Sequence, residues 1–305
     1  MAPYPVDWIT YAFNNYQFCL NPKAGSSNLK TVMYLKKHQE NVTDIAHLPW
    51  RQLAASISEY LVGRHHELKN TVKQLPVLAI VREPLVRFLA SYKDKIQRAS
   101  GRQFYYNTIT ARILDAKYPN SAIPSSQHEW EMTKTKTGLE LTFQNMIEWN
   151  LNMNLTGFDL NTKWPCATFR QGCADKGTQR FIDWHFLPQV FNCPVCATSN
   201  GTNRRFIARL ENPSDIGEVY RLNGLEIPDD LKMAKFNGHF TGTDFDEARS
   251  YYSQVPLQTL YKFIKMFEPD YAAFGYTLPF DWLDIPPVNL TDFDVTPDLS
   301  KYKII

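Results

Sequence analysis

Apolar positions along the first hundred residues alternate between two spacings. Tyr16 to Leu20 is a short apolar run closed by Asn21-Pro22, which predicts a strand and its stop. From Asn28 to His38, the apolar residues Leu29, Val32, Met33 and Leu35 recur at helical spacing. Leu75 to Val81 is almost wholly aliphatic, the pattern of a parallel strand covered on both faces. Pro84 follows at a favoured first-turn position, and Leu85, Phe88, Leu89 and Tyr92 mark one face of the next helix. This alternation predicts an α/β fold with a central parallel sheet flanked by helices.

Arg204 to Leu210 predicts a further strand, and Leu257 to Phe267 a further helix. Residues 101–203 are rich in Asn, Thr, Trp and Cys with weak periodicity, and are expected to form irregular loops pinned by disulfides. Residues 279–305 hold Pro-Pro and many Asp, and read as an extended tail. No internal repeat is present, and residues 1–305 read as a single domain.

The formal net charge is only +2, so nothing in the overall balance points to nucleic acid. There are five cysteines. Cys19 lies in the first apolar run and reads as a buried strand thiol. Cys166, Cys173, Cys193 and Cys196 fit either a zinc site or two disulfides. Asn41-Val-Thr, Asn154-Leu-Thr, Asn200-Gly-Thr and Asn289-Leu-Thr are glycosylation acceptors, meaningful only in the secretory pathway, and they favour disulfides. Cys193 and Cys196 are then expected to pair with Cys166 and Cys173 rather than with each other. The first residues lack the basic start and apolar core of a signal peptide. No run of about 18 apolar residues marks a membrane span. The chain reads as cytosolic, or as a lumenal domain separated from its anchor.

The strongest chemical signal is Asn21-Pro-Lys-Ala-Gly-Ser-Ser-Asn28, between a strand and a helix. Unpaired N–H groups and the helix dipole make such a helix start an anion site. Gly25 allows close approach, Ser26 and Ser27 add hydroxyl donors, and Lys23 adds a point charge. The competing reading is an ordinary strand-to-helix turn with a Ser cap. The Gly-x-x-x-x-Gly-Lys-Ser/Thr loop of nucleotide kinases is absent. The second signal is Arg82, where a buried strand meets a helix, at the sheet edge that binds ligands in open parallel sheets. A guidinium group there can hold a phosphate bidentately; surface pairing of Arg82 with Glu83, or of Arg87 with Asp94, is the plainer alternative.

Taken together, Pro22-Lys23 through Asn28-x-Lys30, then Val81-Arg82-Glu83-Pro84 and Arg87-Phe88, resemble the two donor-binding motifs of the Golgi carbohydrate sulfotransferases. The likeness is to the chondroitin and dermatan 4-O-sulfotransferase branch. His185-Phe-Leu-Pro-Gln189 with Cys193-Pro-Val-Cys196, and Asp270-Tyr-Ala-Ala-Phe-Gly-Tyr276, resemble two later segments of that family. The resemblance implies a P-loop-like sulfotransferase fold. It also implies sulfuryl transfer from 3′-phosphoadenosine-5′-phosphosulfate (PAPS), without a metal, to a glycan hydroxyl such as O-4 of GalNAc. Lys23, Ala24, Gly25, Ser26, Ser27 and Asn28 would hold the 5′-phosphosulfate, and Arg82 the 3′-phosphate. Residues 101–203 would face the acceptor, and the protein would act in the Golgi lumen, tied to the membrane only by an anchor outside this sequence.

Two positions depart from the pattern. The family's second 3′-phosphate ligand, a Ser, falls at Ala90, and Ser91 follows one position later, about 100° around a helix. Phe186 stands where a Trp is usual. For the general base, the family places a residue between the two donor motifs, where His38, His47, His65, His66 and Glu67 lie. His66 is the first candidate and His185 the second. A non-catalytic glycan- or nucleotide-binding relative is the alternative reading, and a kinase the third.

Overall fold

The computed structural model describes residues 10–13, 15–38, 75–97, 105–137, 139–153, 173–174, 181–182, 185–192, 205–225 and 243–293. Its elements fall into two compact units. The first comprises residues 1–87, 188–242 and 269–276, and the second residues 88–187, 243–268 and 277–305.

The first unit is built on a four-stranded sheet of β1 (Thr10–Phe13), β2 (Tyr16–Leu20), β3 (Val77–Val81) and β4 (Arg205–Arg209), in that spatial order. β2, β3 and β4 run parallel, with Leu20 opposite Ile80 and Val81 opposite Arg209. β1 pairs antiparallel with β2, so the sheet is mixed rather than wholly parallel. Helix α1 (Ser26–His38) follows β2, and helix α2 (Pro84–Tyr92) follows β3. The crossovers put apolar cover on both sides of the sheet, as parallel strands require. Phe18, Leu78, Ile80 and Ala208 meet Leu29 and Met33 of α1 and Ile216, Val219 and Tyr220 of helix Pro213–Leu222. Cys19, Val77, Ala79 and Val81 alternate to the other face and meet Phe274. Every residue of β3 is therefore buried, which explains its aliphatic sequence.

Cys19 corrects one expectation. It is buried but disulfide-bonded, not a free thiol. An apolar run hides a half-cystine as well as it hides a thiol, so the local sequence could not separate the two. The other half lies outside the described side chains, as do those of Cys166, Cys173, Cys193 and Cys196.

The second unit holds more helix than its composition suggests. Within 101–203, expected to be irregular, helices form at Ala111–Lys117, Gln127–Thr137 and Phe143–Met153. In helix Gln127–Thr137 the described side chain of Trp130 joins a small cluster with Tyr106, Leu114 and Leu139. Helix Leu257–Phe274 continues through Pro269, past the predicted end at Phe267. The segment after Pro279 is packed rather than extended as far as it is described: Phe280, Leu283 and Leu290 are buried, and the Tyr261 hydroxyl donates to the Pro286 carbonyl at 2.8 Å.

Phe88 is the hub of this unit. Its ring makes edge contacts with Phe143, Phe186, Phe263 and Phe267 at centroid distances of 4.6–6.0 Å. Phe186, the residue standing in place of Trp, is thus a fully buried packing residue. Phe88→Ala is expected to cost about 3–5 kcal/mol, the usual loss for a fully buried aromatic ring. Urea unfolding measures it, and a loss below about 1 kcal/mol would contradict this packing role.

Candidate active site

The parallel register brings the carboxyl ends of β2, β3 and β4 to one edge of the sheet in the first unit. After β2 the chain turns through Pro22–Gly25 into α1. Lys23 has φ 61° and Gly25 has φ 76°, so this turn visits the left-handed region twice. Gly25 is required there for two reasons. Its φ disfavours a side chain, and an added Cβ would stand 3.2 Å from Leu210 Cδ1 and 3.3 Å from Ile80 Cγ2. The Asn21 side chain donates to the Ile80 carbonyl at 3.3 Å and ties the turn to β3. The first turn of α1 carries no acidic residue, and its amides form the positive end of the helix dipole.

After β3 come Arg82 and Glu83. Arg82 Nη1 donates to the Lys23 carbonyl at 3.3 Å, and Arg87 Nη1 lies 3.5 Å from the Pro22 carbonyl. Both arginines are buried, so neither is the surface residue of the plainer reading. The two loops singled out in the sequence are thus brought together, with Lys23, Arg82 and Arg87 concentrated at one place. Lys30, one turn into α1, is also buried, and burial pulls its ammonium down to about 7.

Two buried acids, Glu83 and Asp270, lie among these groups. Glu83 caps α2, its Oε2 accepting from the Val86 N–H at 2.7 Å and its Oε1 from the Tyr271 hydroxyl at 2.5 Å. Burial pushes Glu83 up to about 7, opposed by those two hydrogen bonds and assisted by nearby Glu211. Glu211 accepts from the Glu83 N–H at 2.8 Å and from the Tyr276 hydroxyl at 2.9 Å. Asp270, also fully buried, is pushed up to about 6 by burial against the pull of Arg87. It accepts from the Gln189 and Val190 N–H groups at 2.7 and 2.9 Å. The side chain of Gln189 in turn accepts from the Arg82 N–H at 3.0 Å and donates to the Arg82 carbonyl at 2.7 Å.

The remaining predicted residues are distributed as follows. Ala24 is buried in the turn, and Ser26 opens α1 half-buried. The side chains of Ser27 and Asn28, and all of His66, lie outside the described residues. Ser91 and His185 belong to the second unit, where the Ser91 hydroxyl donates to the His185 carbonyl at 2.8 Å. His185 Nδ1 lies 3.3 Å from the Tyr105 hydroxyl. Glu83, Gln189, Glu211, Asp270 and Tyr271 are the site residues to which the sequence reading gave no role. All of these except Glu211 did stand inside segments that resembled the family. Among the described residues, no group of three or more potential ligands is placed to hold a metal ion. Among the same residues, no helix is long and apolar enough to cross a membrane.

The family model for the sulfotransferase family matches residues 11–277, a span that contains every element of this edge. The chain belongs to the sulfotransferase family. Among curated proteins, the chain is similar to carbohydrate sulfotransferase 12 of Mus musculus, with 20% identity over 283 residues. That alignment covers 86% of this chain and 58% of the relative, so the chain spans well under two thirds of the relative's length. No solved structure matches it.

The buried acids give this chain a defined pH signature. The folded pKa of Glu83, about 7, lies above its ordinary 4.5, so the folded state holds its proton over that interval while the unfolded state releases it. Its contribution to stability is complete below pH 4.5 and is lost as pH rises to about 7. Asp270 acts in the same direction up to about 6. Glu83→Gln removes one of these titrations. The stability of the native chain relative to this variant should therefore fall as pH rises from 4.5 to 7, then level off. Thermal melts across that range test it, and a flat or rising difference would contradict the burial of a protonated Glu83.

Proposed function

We propose that this chain transfers the sulfuryl group of PAPS to a hydroxyl of a glycan. The observation that supports this best is the meeting of the Lys23 turn and Arg82 at the carboxyl edge of a parallel sheet, joined by the Arg82-to-Lys23 hydrogen bond of 3.3 Å. A donor with two phosphate positions needs two anion sites at a fixed separation, and two adjacent strand ends provide them. In this reading the first-turn amides of α1, with Gly25, Ser26, Ser27 and Asn28, hold the 5′-phosphosulfate. Arg82 holds the 3′-phosphate.

In the transfer step the sugar oxygen forms a bond to sulfur as the bond from sulfur to the bridging phosphate oxygen breaks. The leaving group is adenosine 3′,5′-bisphosphate. Lys23 stabilises the charge that develops on the bridging oxygen, and no metal is required for this role. The sugar proton passes to a general base, for which His66 and His185 are the candidates. Ser91 remains a candidate 3′-phosphate ligand only by analogy, since its hydroxyl already donates to His185. The glycan acceptor is supported by the likeness to the mouse carbohydrate sulfotransferase. O-4 of GalNAc in chondroitin- or dermatan-type chains, and action in the Golgi lumen behind an anchor, follow from the motif resemblance.

Kinetics of two variants test the assignment. Lys23→Ala should lower kcat strongly, because Lys23 meets the reacting group. Arg82→Ala should instead raise KM for PAPS by about 30- to 1000-fold, equivalent to about 2–4 kcal/mol for a desolvated charge contact, with kcat less affected. Transfer of labelled sulfate to desulfated chondroitin or dermatan in preference to heparosan would support the acceptor class. Unchanged KM for PAPS in Arg82→Ala, or equal binding of ATP, would refute the 3′-phosphate assignment.

A further inference from the structure

The last residue of β3 and the first of α2 leave the Arg82 peptide beyond the strand ladder, where its N–H and carbonyl need other partners. Gln189 supplies both from a single side-chain amide, at 3.0 and 2.7 Å. A side-chain amide that accepts and donates on one residue's backbone acts like a neighbouring strand and fixes that residue's rotation about the chain axis. Gln189 is itself held: its N–H donates to Asp270 Oδ2 at 2.7 Å and its side-chain nitrogen lies 3.4 Å from the same oxygen. Gln189 and Asp270 are both fully buried, so these groups have no competing water and a fixed orientation.

Neither residue reaches the sheet edge as a charge offered to a ligand. Gln189 bonds directly to the Arg82 backbone, and Asp270, which also faces Arg87, bonds to Gln189 behind it. We propose that Gln189 and Asp270 are positioning residues that set the direction of the Arg82 side chain and thereby the selectivity of the site for a 3′-phosphorylated adenosine nucleotide. This rests on the assignment of Arg82 to the 3′-phosphate made above. Gln189 and Asp270 are 81 residues apart in sequence, and the Val190 N–H adds a further hydrogen bond to Asp270 at 2.9 Å between the two segments.

The test compares binding of adenosine 3′,5′-bisphosphate and adenosine 5′-phosphate to the full chain by titration calorimetry. The native chain should prefer the bisphosphate. Gln189→Met keeps the volume and removes both backbone hydrogen bonds. It should weaken the bisphosphate by about 10- to 100-fold, the scale of a small misplacement at a binding group, and leave the 5′-phosphate within about 2-fold. KM for PAPS should rise in parallel, with kcat within about 3-fold. Asp270→Asn, which leaves one fewer acceptor for the Gln189 and Val190 amides, should lose selectivity in the same direction. It decides the question by the same criteria if Gln189→Met does not melt cooperatively. Equal weakening of both nucleotides, or an unchanged preference in the variants, would overturn the positioning role. A native chain without preference for the bisphosphate would instead overturn the assignment of Arg82 itself, and the positioning role with it.

Discussion

Where a parallel strand ends in a charged residue, the peptide that carries the charge has left the ladder and must be satisfied some other way. At the end of β3 this is done by three buried residues, Gln189 on the Arg82 peptide, Asp270 behind Gln189 and Tyr271 on Glu83, with the more exposed Glu211 accepting from the Glu83 N–H. Each buried polar group is tolerable because its hydrogen bonds are made, and removing one partner would strand the next. Arg82 and Arg87 are both buried beside the Lys23 turn, and a low-dielectric surrounding strengthens the pull of positive charge on an anion. The raised pKa values of Glu83 and Asp270 follow directly. They are acids taken out of water to hold other groups in place.

The sheet and its two strand-to-helix turns were legible in the sequence because they depend on local signals. β3 is aliphatic at every position and buried at every position, and Pro84 begins α2 where a first-turn Pro belongs. Lys23 and Arg82 fall next to strand ends, so the parallel register alone brings them to one edge. The helices within 101–203 were not legible. The sequence of Gln127–Thr137, Gln-His-Glu-Trp-Glu-Met-Thr-Lys-Thr-Lys-Thr, holds too few apolar residues to generate a helical period. The helix that runs through Pro269 shows the opposite failure, since a reliable stop signal was overridden by the packing of Tyr271 and Phe274 beyond it.

Long-range polar pairs were the least accessible. Nothing in the local sequence of Gln189 announces a backbone 107 residues earlier, and nothing near Asp270 announces Gln189. A buried Asp and a buried Gln look like surface residues until a partner is known. Cys19 belongs to the same class, because its disulfide depends on a residue that its own apolar run does not contain. The sheet edge was therefore predictable as a place, but the apparatus that orients Arg82 there was not.

The central claim is that the Lys23 turn and Arg82 together form one site for a nucleotide carrying phosphate at both ends of its ribose. A crystal structure of the chain with adenosine 3′,5′-bisphosphate tests this most directly. The account predicts the 5′-phosphate at the first turn of α1 and the 3′-phosphate within hydrogen-bonding distance of the Arg82 guanidinium, with Gln189 still paired to the Arg82 backbone. A nucleotide bound with its 3′-phosphate away from Arg82, or bound elsewhere on the molecule, would contradict it.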